Sequence, residues 1–187
     1  MADDLAGVRV AVLLTDGVEE SEFVKPKEAL EKAGAQITVI SPNGGDIQAF
    51  QHHDKSKKYR ADKNLNQVDA SQFDALLLPG GALNADALRV VPKAQQFAKA
   101  IDGAGKPIAV ICHGPWLLVS SGLVHGRKIT SYHTIQDDLR NADAEWQDAE
   151  VLVDRNWVSS RKPDDIPAFN REMLKLFAAA ARNRNAA

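Results

Sequence analysis

One cysteine lies where a short apolar run meets a turn. The run Ile108–Ile111 is followed by Cys112, His113 and Gly114. Four consecutive apolar residues predict a buried parallel strand, and the glycine and proline after them predict a turn into a helix. A side chain at such a turn lies at the carboxyl edge of the sheet, where open α/β folds place their sites. Cys112 is therefore the first candidate for a nucleophile.

The predicted position also bears on the reactivity of this cysteine. A helix N-terminus supplies unpaired N–H groups and the positive end of the helix dipole, and both favour thiolate over thiol. Because the thiolate is the nucleophile, we expect a pKa of Cys112 below the free value of about 8.5. The alternative is a purely structural cysteine, since free cysteine is among the most buried residue types.

Two further loops are predicted to meet Cys112 at the same sheet edge. The first carries acidic side chains, and the second carries a glycine pair followed by polar residues. Their candidate residues are Asp16, Glu19, Glu20, Glu22, Gly80, Gly81, Asn84 and Asp86. With Cys112 and His113 they could supply a nucleophile, a base, carboxylates and N–H groups for an oxyanion. Neighbouring strand side chains point to opposite faces, so His113 reaches the sulfur only if the backbone bends at Cys112.

Alternating strand-like and helix-like segments must position these residues. The predicted strands are Val8–Leu14, Gln36–Ile40, Ala75–Leu78, Ile108–Ile111, Lys128–Tyr132, Glu150–Asp154 and Asn156–Ser160. The predicted helices are Ser21–Ala33, with Pro26 as a kink or a later start, Val91–Ile101, Trp116–Ser121, Ile135–Asn141 and a final helix capped by Asp164. Short strands or a hairpin are expected in 46–72. This order predicts one α/β domain over 1–187, mostly parallel with helices on both faces, and a frayed tail at about 182–187.

Composition argues against several classes of protein. The chain has 187 residues, of which 44% are hydrophobic, and this is enough for the core of one domain. A net charge of −2 with both signs interspersed predicts no nucleic-acid and no membrane partner. The acidic start Met1–Asp4 lacks the apolar stretch of a signal peptide, and a lone cysteine excludes an internal disulfide. We therefore expect a soluble cytoplasmic protein whose cysteine is reduced.

Other kinds of site are less well supported. The adjacent His52 and His53 suggest a metal, but no third ligand follows at a recognisable spacing, so an exposed polar loop without metal is expected. No glycine-rich nucleotide loop is present, and we expect no cofactor. Asp16 ends a strand as a phosphoacceptor does, but the other acids and the lysine of a receiver domain are not placed. Glutamine amidotransferases also use an elbow cysteine, yet neither His125 nor His133 begins their His-x-Glu pattern.

Several longer segments resemble one known family. They are Asp16–Glu22, His52–Lys55, Phe73–Gly81, Ala109–Pro115, Gly126–Tyr132 and Ser160–Asp165. In these segments, which span nearly the whole chain, the sequence resembles the PfpI-type intracellular protease/amidases and general stress proteins of the DJ-one superfamily. The resemblance implies a flavodoxin-like three-layer α/β sandwich. It also implies a homodimer or a higher homo-oligomer.

The resemblance further implies roles for individual residues. Cys112 would be the nucleophile, His113 its base, and Glu22 a buried carboxyl group that hydrogen-bonds the sulfur. The backbone N–H groups of Gly81 and His113 would form the oxyanion hole. In family members described as proteases, a carboxylate shortly after Pro-Gly-Gly orients the histidine of a neighbouring subunit. The matching residue here is Asp86.

Three functions are compatible with these roles. The main hypothesis is a stress-response hydrolase of the protease/amidase type, in which the Cys112 thiolate attacks a carbonyl carbon of a peptide or small carbonyl substrate. The first alternative is a glyoxalase or protein deglycase that acts on methylglyoxal or its adducts, with Glu22 transferring a proton. The second alternative is a redox-sensing or chaperone-like protein in which Cys112 is oxidised to a sulfinate that Glu22 stabilises.

Overall fold

The computed structural model describes residues 4–185. Its strands are β1 (Arg9–Leu13), β2 (Val18–Glu19), β3 (Gln36–Ser41), β4 (Asp46–Gln51), β5 (Asp54–Arg60), β6 (Lys63–Asn64), β7 (Ala75–Leu78), β8 (Ile108–Ile111), β9 (Lys128–Ile129), β10 (Glu145–Trp146), β11 (Val151–Asp154) and β12 (Trp157–Ser160). Its α-helices are α1 (Glu20–Lys32), α2 (Ala82–Arg89), α3 (Pro92–Gly103), α4 (Pro115–Ser120), α5 (Gln136–Asn141) and α6 (Ile166–Asn185).

A mostly parallel sheet forms the centre of the fold. Its strand order is β11-β12-β8-β7-β1-β3-β6, and only β11 runs antiparallel to its neighbour. In the middle of this sheet, Val12 of β1 lies opposite Val39 on one side and Leu77 on the other. The hairpin β4–β5 pairs with β2 in a smaller sheet, and β9 pairs with β10. The carboxyl ends of β1, β7 and β8 therefore share one edge.

Apolar side chains cover both faces of the central sheet. Val10 and Val12 of β1 pack into a core with α1 and α6, whereas Ala11 and Leu13 pack into a second core with α3, α4 and α5. Strands buried on both faces read as continuous apolar runs, which explains why β7 and β8 were predictable from sequence. The flavodoxin-like three-layer arrangement is confirmed.

Several elements differ from the predictions. Helix α2 was not predicted, because its eight residues carry only a short apolar pattern. Pro26 lies inside α1, so it neither begins the helix nor ends it, and it is buried. The strand expected at Lys128–Tyr132 is only two residues long, since the chain then bends towards Cys112. Asp164 does not cap α6; it lies in a preceding 3-10 turn and pairs with Lys162 at 3.3 Å.

One further prediction, the frayed tail at about 182–187, falls only partly on the described residues. Residues 182–185 continue α6, and 186–187, the remainder of the expected frayed tail, lie outside the described residues together with 1–3. One face of α6 belongs to the core, because Ile166, Phe169, Met173 and Phe177 are buried. None of the described helices is long and apolar enough to cross a bilayer.

Candidate active site

Cys112 lies on a bent turn between β8 and α4. Its backbone has φ = 61°, in the left-handed region that residues other than glycine rarely adopt. Such a conformation costs about 1–3 kcal/mol and persists only where the surroundings fix it. Here the Cys112 N–H donates to the Ser160 carbonyl at 3.1 Å, and the Cys112 carbonyl accepts from the Tyr132 N–H at 2.9 Å. The bend that His113 needs to reach the sulfur is therefore present.

The His113 ring is held on three sides. Its Nδ1 lies 3.1 Å from Sγ of Cys112, and its Nε2 lies 3.3 Å from Oγ1 of Thr134. The ring also stacks on Tyr132, with centroids 4.8 Å apart and planes 27° apart. Burial lowers the pKa of His113 to about 4, and the neighbouring His133 adds to this effect. The imidazole is therefore neutral at neutral pH and has a lone pair to accept a proton.

Glu22 brings a carboxyl group to the same place from α1. Its side chain is fully buried. Burial raises its pKa to about 8 and Glu19 adds to the rise, whereas the Cys112 thiol and the backbone of Gly80 oppose it. The carboxyl group is therefore mostly protonated at neutral pH and has a proton to donate.

Two glycines make this close approach possible. A β-carbon at Gly80 would overlap both the Glu22 carboxyl group and the β-carbon of Cys112. Gly81 has φ = 90°, and a β-carbon there would overlap the carbonyl oxygen of Gly17. The Pro-Gly-Gly segment is thus more than a turn, because both glycines are needed for the loops to meet at the sulfur.

The pKa of the Cys112 thiol is raised, which corrects the expectation of a lowered value. Burial raises it most and negative charge on Glu22 adds to the rise, while the backbone N–H groups of Gly81 and His113 lower it. The sequence-based prediction counted the helix and the N–H groups but not the burial of the sulfur beside a carboxyl group. Because burial raises the pKa of both groups and negative charge on Glu22 raises that of Cys112 further, the pair retains at least one proton at neutral pH.

An open cavity of about 510 Å³ leads to the sulfur. Glu22, Cys112 and His113 line it together with Phe50, His52 and His53 of the β4–β5 hairpin. His52 and His53 are exposed, as predicted, but the sequence did not show that their loop forms a wall of the site. In residues 4–185, no group of three His, Cys, Asp or Glu side chains is arranged to hold a metal ion.

Three of the predicted acids hold this hairpin and make no hydrogen bond to the sulfur. Asp16, Glu19 and Glu20 each accept hydrogen bonds from it. Their donors are, respectively, the backbone N–H of Gln48 (2.7 Å), the backbone N–H of His52 (2.9 Å), and the side chains of Gln51, Ser56 and Tyr59. The hydrogen bonds to Glu20 lower its pKa and keep it ionised. These acids therefore shape the cavity.

The remaining two candidates lie on α2. Asn84 is buried, accepts a hydrogen bond from the Thr15 N–H at 2.7 Å and donates one to the Gly80 carbonyl at 3.0 Å, so it ties two loops together. Asp86 is exposed, does not line the cavity, and makes no hydrogen bond or ion pair with His113 within the described chain. One chain therefore brings together Cys112, His113, Glu22 and Gly81, but not Asp86.

Comparison with known proteins agrees with this geometry. The chain is 45% identical over 168 residues to the "putative cysteine protease YraA" of Bacillus subtilis, covering 90% of this chain and 97% of that one. It is 43% identical over 176 residues to "protein/nucleic acid deglycase 2" of Escherichia coli, covering 91% and 98%. It is 42% identical over 171 residues to "general stress protein 18" of Bacillus subtilis, covering 91% and 98%.

Solved structures share the fold. The DJ-1 protein of Schizosaccharomyces pombe superposes with a TM-score of 0.81 at 22% identity, covering 94% of this chain and 98% of that one. The model of the DJ-1/PfpI family matches residues 8–176, a span that includes all three loops of the site. With relatives above 40% identity over nearly their whole length, the chain belongs to the DJ-1/PfpI family.

Proposed function

We propose that this protein is a cysteine-dependent enzyme that acts on methylglyoxal and on its early adducts with amines and thiols, as a deglycase. One observation carries the proposal: a buried carboxyl group that is mostly protonated at neutral pH lies beside the nucleophile, while no carboxylate within residues 4–185 forms a hydrogen bond or an ion pair with His113. The relative named a deglycase supports this choice. The site therefore favours proton transfer at a carbonyl compound over the hydrolysis of an unactivated amide.

The proposed reaction uses each group of the site once. Sγ of Cys112 attacks the adduct carbon and its proton passes to Nδ1 of His113, 3.1 Å away. The carbon–nitrogen bond breaks, and the amine leaves with that proton. The resulting hemithioacetal isomerises to a thioester through an enediol. The ionised form of Glu22 takes the hydrogen from the carbon bonded to sulfur and returns it to the neighbouring carbon, while the hydroxyl hydrogen passes to the oxygen of the former ketone. Water then hydrolyses the thioester to a hydroxy acid and restores the thiol.

The backbone N–H groups of Gly81 and His113 serve this scheme as an oxyanion hole. Both already act on the sulfur, since they lower the pKa of the thiol. Preorganised donors of this kind stabilise charge on the substrate oxygen as the tetrahedral centre forms. We propose that Gly81 holds this position because a side chain there would push its loop away from Gly17.

The second candidate function is the hydrolysis of peptides or amides, and Asp86 favours it. A carboxylate on the outer nitrogen of a catalytic histidine stabilises the imidazolium ion, and its loss costs several orders of magnitude in rate. Burial and the neighbouring His133 lower the pKa of His113, and a carboxylate beside the ring would oppose both effects. In this proposal Asp86 of a neighbouring subunit supplies it. The exposed apolar side chains Leu83 and Val90, which flank Asp86, support α2 as a subunit contact.

The two candidates are separated by one set of assays. Purified protein is incubated with methylglyoxal, with its adduct of an acetylated amino acid, and with a peptide amide. Each reaction is matched by one with Cys112→Ala, which measures the spontaneous background. Cys112-dependent loss of the first two compounds with formation of lactate supports the deglycase, and cleavage of the amide alone would reject it. Consumption of peroxide without turnover of any substrate would instead indicate a redox sensor acting through Cys112.

A further part of the proposal concerns the cellular setting of the enzyme. We propose that the enzyme acts in the cytoplasm and in the stress response, because reactive aldehydes damage proteins there and a relative is named a general stress protein. A reducing compartment also keeps the thiol of Cys112 available for turnover.

A further inference from the structure

Thr134 faces the outer nitrogen of the His113 ring. Its Oγ1 lies 3.3 Å from Nε2, while Nδ1 on the other side of the ring lies 3.1 Å from Sγ of Cys112. Within residues 4–185, no carboxylate forms a hydrogen bond or an ion pair with this histidine. The hydroxyl group therefore occupies the place at which catalytic triads put an acid.

The backbone makes this contact a fixed one. Thr134 belongs to a 3-10 turn, His133–Ile135, that begins directly after Tyr132. The Tyr132 N–H donates to the carbonyl of Cys112 at 2.9 Å, and the Tyr132 ring stacks on His113. A backbone hydrogen bond therefore joins the segment that carries Thr134 to Cys112. Nδ1 and Nε2 of the ring contact Cys112 and Thr134, and this backbone hydrogen bond holds the two segments together.

We infer that Thr134 is a positioning residue, which fixes His113 in the tautomer that can take a proton from Cys112. A neutral imidazole carries one ring hydrogen, so one nitrogen donates and the other accepts. If Nε2 carries the hydrogen and donates it to Oγ1 of Thr134, the lone pair of Nδ1 faces the thiol. The inference rests on the proposed function only for its kinetic consequence.

A hydroxyl group gives this histidine a different character from that of a triad. It accepts the Nε2 hydrogen without adding negative charge, so the imidazolium ion formed by proton transfer is stabilised only weakly. The proton taken from Sγ is then readily returned to the departing nitrogen of the substrate, and Thr134 keeps its own hydrogen throughout. That hydrogen remains free to donate to another acceptor, so the inference is compatible with an Asp86 carboxylate arriving from a neighbouring subunit.

Nitrogen NMR of the ring tests the inference without any substrate. The two ring nitrogens of His113 are assigned by comparison with a His113→Gln variant, and their shifts report which one carries the hydrogen. We expect Nε2 to be protonated in the wild-type protein and in Thr134→Ser. In Thr134→Val, which removes the hydroxyl group at an exposed position without changing the size of the side chain, the hydrogen should be shared between the two nitrogens. Hydrogen on Nδ1 in the wild type, or identical shifts in Thr134→Val, would overturn the inference.

Kinetics supply the second readout. Thr134→Val should lower kcat by about tenfold with KM unchanged, and Thr134→Ser should restore most of the loss. Full activity of Thr134→Val would count against the inference even if the ring shifts changed. A failure of the proposed function looks different, because wild-type protein would then turn over neither methylglyoxal nor its adducts while the NMR result would be unaffected.

Discussion

At the scale of single residues, the site combines a buried carboxyl group, Glu22, with a buried thiol, Cys112. Burial raises the pKa of both groups, and negative charge on Glu22 raises the pKa of Cys112 further. The helix behind Cys112 does not lower the pKa of the thiol below its usual value. The thiol therefore needs a neighbouring base that takes its proton. His113, neutral and 3.1 Å away, provides the acceptor for that proton.

Replacing Glu22 by glutamine tests this coupling. Glu22→Gln removes the negative charge that raises the pKa of the thiol, so we expect the pKa of Cys112 to fall relative to the wild type. The rate of alkylation by iodoacetamide, followed across pH, measures this pKa. Asp86→Asn, which changes an exposed acid that does not line the cavity, is the matched control and should leave the profile in place. A rise of the pKa in Glu22→Gln would show that the two groups are not coupled in this way.

The same residue should also make stability depend on pH. The pKa of Glu22 is about 8 in the folded chain and near 4.5 in the unfolded chain, so between these values only the folded chain holds the proton. Stability therefore falls as the pH rises from about 4.5 to about 8. Relative to Glu22→Gln, the wild-type protein should lose on the order of 4 kcal/mol across this window. Urea unfolding of both proteins at several pH values measures the difference, and parallel curves would contradict the assignment.

At the scale of elements, three loops can meet because glycines lie at their positions of closest approach. Gly80 lies against Glu22 and Cys112, and Gly81 lies against Gly17. The buried amide of Asn84 then ties the loop after β1 to the loop after β7. The site therefore forms where the backbones of three loops come close together at the carboxyl edge of the sheet. The reacting side chains occupy the space between these loops.

Adding one methyl group at Gly80 should separate the reacting groups. Gly80→Ala must displace either the Glu22 carboxyl group or Cys112, and we expect a loss of about 1–3 kcal/mol in stability together with most of the activity. The matched control is Gly103→Ala at the exposed end of α3, where a β-carbon meets nothing within 4 Å. It should leave both properties nearly unchanged. An active and stable Gly80→Ala would mean that the close packing around Gly80 is not required.

The elements also show which parts of the fold a sequence can reveal. Strands β7 and β8 were predicted almost to the residue because both of their faces are buried and their apolar runs are continuous. The bounds of strand β5 were not predictable, since five of its seven residues are charged and most are exposed. The strand is held by pairing with β4 and by hydrogen bonds to Glu20, which lies far away in the sequence.

Some features of the candidate site could likewise be predicted from the sequence, and others could not. Cys112, His113 and the acids were visible as residue types at predicted strand ends. The role of Thr134 was not visible, because a threonine in an exposed turn carries no pattern that relates it to a histidine 21 positions earlier. The raised pKa of Cys112 was not predictable either, since it depends on burial and on the distance to Glu22 in the folded chain.

At the scale of the whole molecule, we propose that the site is shared between subunits. Asp86 is exposed on α2 and, among residues 4–185, forms no hydrogen bond or ion pair with His113. Leu83 and Val90, with 61% and 71% of their surface exposed, lie on the same short stretch. We propose that these two apolar side chains pack against another copy of the chain, beside the site that Asp86 would complete.

Subunit mixing tests this arrangement. If Asp86 orients a neighbour's histidine, Asp86→Asn and Cys112→Ala should each lose amidase activity, and mixing the two proteins under exchange conditions should restore part of it. Restoration requires an intact Cys112 in one subunit to meet an intact Asp86 in another. The control mixes two preparations of Cys112→Ala, which should remain inactive. If exchange is verified and no activity returns, Asp86 does not complete a neighbour's site.

The central claim is that Cys112 and Glu22 together convert an aldehyde adduct into a hydroxy acid. Its most direct test is the rate of lactate formation from a methylglyoxal adduct, followed by NMR for the wild-type protein, Glu22→Gln and Cys112→Ala. We expect lactate from the wild type in amounts equal to the adduct lost, a rate lower by on the order of a hundredfold in Glu22→Gln, and none above background in Cys112→Ala. Lactate formation by Glu22→Gln at the wild-type rate, or by Cys112→Ala at any rate above background, would contradict the account.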